Sequence, residues 1–228
     1  MASDAKIGSS AAEGVISKKR EAPLHLACKN GKQDIPRCHI NHGSDISSRD
    51  DKNINPLHLA SRYGHVAVAR LFLECGTDAN ECYKERWTPL HLASLRSHLD
   101  TAKLLIDHRA IIGSRNDQQE TPLGLASWFG HPEVADLLIE GGAAVSAQDR
   151  YGRTSFHMAS SQGHLHVTTL LLECGIDVDI RNKYGRTPLY SASSSGKLDI
   201  VRFLIERGAD IQLVVNTGAP VDARNGTQ

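Results

Sequence analysis

Apolar residues recur along the chain in short bursts at helical spacing, as in Val68, Leu71, Phe72 and Leu73 or Val134, Leu137, Leu138 and Ile139. Positions three and four apart share one face of a helix, so each burst predicts a short amphipathic helix turned toward a core. Between bursts the pattern changes. Asp177 to Arg186 alternates apolar and polar residues around Tyr184-Gly185, a turn signal that predicts an extended finger.

The bursts keep a constant step. Pro23, Pro56, Pro89, Pro122, Ser155 and Pro188 each lie 33 residues after the one before. Gly31, Gly64, Ser97, Gly130, Gly163 and Gly196 keep that step, and so do Gly43, Gly76, Arg109, Gly142, Gly175 and Gly208. Three registers in agreement define a repeat, and each unit reads as helix, turn, helix, finger. Thr88, Thr121, Thr154 and Thr187 precede the proline register. There a threonine hydroxyl can cap free N–H groups, and proline at the first helical position loses no hydrogen bond. The two glycine registers end the first and second helix, because glycine takes the left-handed conformation cheaply.

Segments such as TPLHLASLRSH, NPLHLASRYGH and TPLYSASSSGK, followed by LLECGIDVD or LIERGADIQ, resemble ankyrin repeats over about residues 21 to 212. The resemblance implies an all-α repeat solenoid: paired antiparallel helices with hairpin or loop fingers, in one elongated L-shaped domain. It implies six repeats, at about 21–50, 51–83, 84–116, 117–149, 150–182 and 183–212. Residues 1–20 read as a flexible tail, and 213–228 as a C-terminal tail or a truncated further repeat. In such a fold the inner helices and finger tips form a concave surface for protein partners.

Departures from the pattern mark weak or unusual units. In the first, Ala22 replaces the capping threonine, Pro36 enters the second helix, and Cys38 and His39 replace bulky aliphatics. Arg109 and Ile111 replace the usual Gly and Asp of the third, so its second helix is expected to end differently, with strain of order 1 kcal/mol at a left-handed non-glycine residue. The last unit keeps Val201, Phe203, Leu204 and Ile205 and then Leu213, Val214 and Val215. A terminal repeat needs a polar outer face, so this end is expected to be uncapped.

Composition narrows the function. With 26 basic and 26 acidic residues the chain has no surplus to neutralise phosphates, so no nucleic acid is expected. No apolar run is long enough for a membrane span. Cys28, Cys38, Cys75, Cys82 and Cys174 form an odd set without a CxxC pair, and no signal-like segment follows Met1. An intracellular and mainly cytoplasmic location is expected. The Lys18, Lys19, Arg20 run is too short to assign the nucleus.

Of twelve histidines, eight are framework: His25, His58, His91 and His157 follow the proline register, and His65, His98, His131 and His164 follow the first glycine register. The resemblance implies that the first set ties its helix start to the neighbouring repeat. Cys38, His39 and His42 could offer zinc three ligands, with Cys28 the nearest fourth, but no recognised ligand spacing joins them. Neither GxSxG nor a phosphate-cradling GxxxxGK[ST] occurs, and the Ser191, Ser193, Ser194 and Ser195 cluster falls at the end of an inner helix. No enzyme and no cofactor are expected.

Positions that the framework leaves open are the finger tips and the last turn of each first helix. They include Arg62, Tyr63, Trp87, Leu95, Arg96, Trp128, Phe129, Arg150, Tyr151 and Tyr184, with both tryptophans of the chain among them. Trp, Tyr and Arg dominate binding energy at interfaces, so Tyr63, Trp87, Leu95, Arg96, Trp128 and Phe129 are expected to anchor a protein partner. The opposing reading has Trp87 packed along its own finger and Trp128 against a neighbouring helix. Arg150, Arg153, Lys183 and Arg186 flank the patch and suit an acidic rim on the partner. Two rival roles remain: a segment of a longer solenoid, with further ankyrin repeats stacked on the C-terminal end, or an inhibitor that occludes an enzyme through the same surface.

Overall fold

Four of the first helices begin where a side-chain oxygen meets a free backbone N–H. Thr121 Oγ1 accepts from Gly124 N at 3.1 Å, Thr187 Oγ1 from Tyr190 N at 3.2 Å, and Thr88 Oγ1 from His91 N at 3.4 Å. Asn55 takes the same role with Oδ1, 3.0 Å from His58 N. The computed structural model describes residues 23–34, 36–37, 48–50 and 53–215. The expected N-terminal tail, Ala22, Cys38, His39, His42, Gly43 and most of the C-terminal tail lie outside them.

First helices run Pro23–Lys29, Pro56–Tyr63, Pro89–Leu95, Pro122–Phe129, Ser155–Gln162 and Pro188–Ser194. Second helices run Val66–Glu74, Leu99–Asp107, Pro132–Glu140, Leu165–Glu173 and Leu198–Glu206. A short helix, Gln212–Val215, packs against Pro188–Ser194. The first helices stack closely on one another and the second helices more loosely, so the array is a solenoid that curves toward its first helices. Its core is one continuous row. Leu57, Leu90, Leu123, Phe156 and Leu189 come from the first helices, and Phe72, Leu105, Leu138, Leu171 and Leu204 from the second, all buried. No helix among the described residues is long and apolar enough to cross a membrane.

One expectation needs correction, and one alternative is decided. Arg109 does not change how its helix ends: it adopts φ +66°, as the glycines of its register do. Its N–H bonds Ile106 O at 2.9 Å and the next N–H bonds Leu105 O at 2.9 Å, matching the pair made by Gly76 and Thr77. The solenoid imposes the closure and the arginine bears the strain. The fingers are tight loops, and no strand occurs among the described residues. Asn116, Asp149 and Asn182, one per finger, each accept two N–H groups of their own loop through Oδ1, which closes it before a ladder can form. Neighbouring loops join by single backbone bonds, as from Asp117 N to Glu85 O and from Arg150 N to Gln118 O.

Histidines stitch the units in both directions. Nε2 of His25, His58, His91 and His157 reaches forward to the carbonyls of Ile54, Glu81, Glu120 and Arg186 at 2.9 to 3.1 Å. Nε2 of His65, His98, His131 and His164 reaches back to those of Lys29, Arg62, Leu95 and Trp128 at 2.9 to 3.2 Å. Burial pushes His58 and His91 down to about 4, so near neutral pH both rings are uncharged.

Candidate functional site

On the side of the first helices and fingers a cavity of about 250 Å³ opens between neighbouring units. Trp87, Leu95, Leu125, Trp128, Phe129 and Met158 form its apolar walls, and Glu120 and Arg153 supply the charge.

Trp87 stands on the most irregular finger. Tyr83 occupies the register that holds Asp50, Asn116, Asp149 and Asn182 in other units, and its ring packs edge-on to His58 at 5.1 Å. Without the carboxyl or amide acceptor the loop closes as a tight turn at Lys84–Arg86, with Glu85 and Arg86 both at φ +59°. Such left-handed non-glycine residues cost of order 1 kcal/mol each and persist only where their surroundings hold them. The Trp87 ring then lies 5.8 Å from the ring of His91. His91 in turn hydrogen-bonds Thr88 through Nδ1 and the Glu120 carbonyl through Nε2, so one buried imidazole relates the tryptophan to the glutamate.

Trp128 is held from two sides. Its carbonyl accepts the His164 bond, and the Arg153 guanidinium lies 5.3 Å over its ring. Arg153 Nε is fixed 2.8 Å from Oδ2 of Asp149, a buried carboxylate that also closes its own finger. Beneath them Gly124 replaces the histidine found in that register of several other units, and Met158 Sδ lies 3.4 Å from where a Cβ would stand. Phe129 stacks on His131 at 6.4 Å, and Tyr63 on His65 at 6.3 Å.

The structure brings Trp87, Leu95, Trp128 and Phe129 together around the cavity. Both tryptophans are half-buried, between the two readings of the sequence: each touches a neighbouring side chain and each lines the cavity. Tyr63, Arg62, Arg96, Arg150, Tyr151 and Tyr184 do not line it. Tyr63, Arg96, Arg150 and Tyr184 are exposed, and Arg62 and Tyr151 are half-buried. The basic flank is partly engaged within the chain. Arg153 is paired, Arg150 and Arg153 lie over the Tyr151 ring, and Arg186 lies over Tyr184 and Tyr190. Sequence reasoning left Leu125, Met158 and Glu120 out of the anchoring patch. Gly124 was the available signal, because a missing imidazole in a regular register leaves room for its neighbours. The hydroxyls of Ser191 and Ser194 bond back to carbonyls of their own helix.

No curated protein matches the chain. A sequence model described as ankyrin repeats matches it in three copies, over residues 5–81, 68–149 and 125–214. With that match spread over nearly the whole length, and paired helices repeating at the step of the prolines and glycines, the chain belongs to the ankyrin-repeat family.

Proposed function

We propose that this protein is a non-catalytic adaptor that grips a protein partner on its concave face, centred on the cavity between Trp87 and Trp128. Ankyrin repeats are generally protein–protein interaction modules. One observation carries the finer reading: the two tryptophans of the chain, placed in different repeats, line the same partly open apolar cavity with Leu95 and Phe129. Phe129 is 47% exposed. Contiguous exposed apolar surface with aromatic anchors marks interaction sites, and burying such anchors dominates binding energy. Tyr63 and Arg96 extend the surface beyond the cavity. Six repeats supply its length, and unpaired Cys28, Cys75, Cys82 and Cys174 are in keeping with a reducing, intracellular setting. The test is capture from cell extract with the wild-type chain and a Trp87→Ala, Trp128→Ala variant, both shown folded by circular dichroism. Loss of bound proteins with the variant supports the reading; unchanged capture rejects it.

A second reading rests on a different surface. Leu198 is 75%, Ile205 41% and Ile211 51% exposed at the C-terminal end, although Gln212–Val215 covers part of it. That end suits stacking with further ankyrin repeats. Concentration-dependent sedimentation that a Leu198→Glu substitution abolishes would favour it.

A further inference from the structure

The cavity carries an unmatched charge beside apolar walls. Arg153 is already paired with Asp149 at 2.8 Å. Glu120 has only a neutral amide: its Oε2 accepts from Asn116 Nδ2 at 2.8 Å. The ion pairs among the described residues are Arg49 with Glu81 and Arg153 with Asp149. Glu120, Asp149 and Arg153 together therefore carry one net negative charge. His91, whose ring lies beside Trp87, adds none near neutral pH.

That imbalance selects the occupant. A neutral apolar side chain seated against Trp87, Leu125 and Phe129 would strip water from Glu120 and put nothing in its place. A cation replaces the lost hydration and is drawn to the negative faces of the indoles. Among the described residues every cation seated over a ring is an arginine: Arg150 and Arg153 over Tyr151, Arg153 over Trp128, Arg186 over Tyr184 and Tyr190, and Arg207 over Phe203. The chemistry explains the choice. A lysine ammonium is strongly hydrated and presents three donors to a cavity with one carboxylate, whereas a guanidinium is planar, weakly hydrated, stacks by its face and forks onto a carboxylate by its edge. At about 250 Å³ the space lies below the range of roughly 300–1,000 Å³ typical of small-molecule sites, which fits a single side chain.

We propose that this cavity receives one arginine side chain of the partner protein, its guanidinium paired with the Glu120 carboxylate and stacked on Trp87. The inference rests on the reading that a protein partner docks on this face.

Trp87 and Trp128 are the only tryptophans of the chain, so intrinsic fluorescence reports on this cavity. The probes are acetylated, amidated pentapeptides of glycine and serine with one central arginine, citrulline, lysine or leucine, titrated into the millimolar range, with free arginine amide as a fifth ligand. The arginine peptide is expected to give a saturable change, with citrulline, its neutral isostere, lysine and leucine at least about tenfold weaker, a gap of about 1.4 kcal/mol. Glu120→Gln, which keeps an acceptor for Asn116, is expected to lower the arginine peptide to the citrulline level. Citrulline or leucine binding as tightly as arginine would overturn the proposal, as would a fluorescence signal that none of the peptides changes. In either case capture by the double tryptophan variant still decides separately whether a protein docks here. Arginine amide presents the same guanidinium and is expected to bind about as tightly as the arginine peptide; failure of the amide to bind where the peptide does would overturn the side chain as the recognised group. Should Glu120→Gln fail to fold, the arginine and citrulline comparison on the wild-type chain decides alone.

Discussion

His164 Nε2 lies 3.0 Å from the carbonyl oxygen of Trp128, 36 residues earlier, and fastens the last turn of one first helix to the start of the next unit's second helix. The ring fills the space above Gly130, where a Cβ would collide with it, and Gly130 itself is left-handed at φ +73°. One glycine thus meets two demands, a backbone conformation and a close approach.

That double demand separates two classes of glycine. Gly142 is also left-handed, at φ +91°, but a Cβ there meets nothing within 4 Å. Gly142→Ala should cost about 1 kcal/mol from backbone conformation alone. Gly130→Ala should cost at least about twice that, because the His164 bond must also shift. Urea unfolding of both variants checks this, and equal losses would show that the histidine contact contributes nothing.

Acid should loosen the stack through the buried imidazoles. Burial lowers His58 and His91 in the folded chain from the ordinary 6.5 to about 4, so as pH falls the unfolded chain takes up protons first. Their contribution is complete above pH 6.5 and is lost as pH drops from there toward 4, by about 3 kcal/mol for each histidine. His157, His98 and His164 are shifted downward for the same reason, burial, and push in the same direction. Urea midpoints from pH 7.5 down to pH 5, alongside NMR titration of the imidazoles, should show falling stability and rings of His58 and His91 still neutral at pH 6. Titration of those rings near 6.5 would contradict the account.

Arg109 offers a stabilising change. It sits at φ +66° where other units place glycine, and its side chain is exposed. Arg109→Gly removes left-handed strain of about 1–2 kcal/mol at the expense of about 0.5–1 kcal/mol of backbone entropy. The thermal midpoint should rise by roughly 1–3 °C. A fall would mean that the arginine side chain contributes more than its backbone strain removes.

The solenoid could be read from the chain because its causes are local and repeated. A proline behind a capping residue starts most first helices, a left-handed residue follows the helix ends, and the aliphatic bursts mark the core. Whether Arg109 would be forced into the glycine conformation was not readable, since that depends on stacking beyond its own unit. The fingers were readable as hairpins or loops but not as which of the two, because the Asx residue of Asn116, Asp149 and Asn182 reads equally as a hairpin turn until its two N–H partners are known. At the candidate site the tryptophans stood out by type and position. The charge of Glu120 did not, because its significance lies in what fails to pair with it across two units, and sequence distance hides that.

The central claim is that a protein docks on the face of the first helices, at the Trp87 and Trp128 cavity. A photo-crosslinking residue placed at Phe129, on the cavity wall, and separately at Asp136, exposed on a second helix, tests it most directly in cell extract. The account predicts a discrete crosslinked species from position 129, absent from position 136 and lost when Trp87 and Trp128 are both replaced by alanine. A crosslink from position 136 with none from position 129 would contradict it.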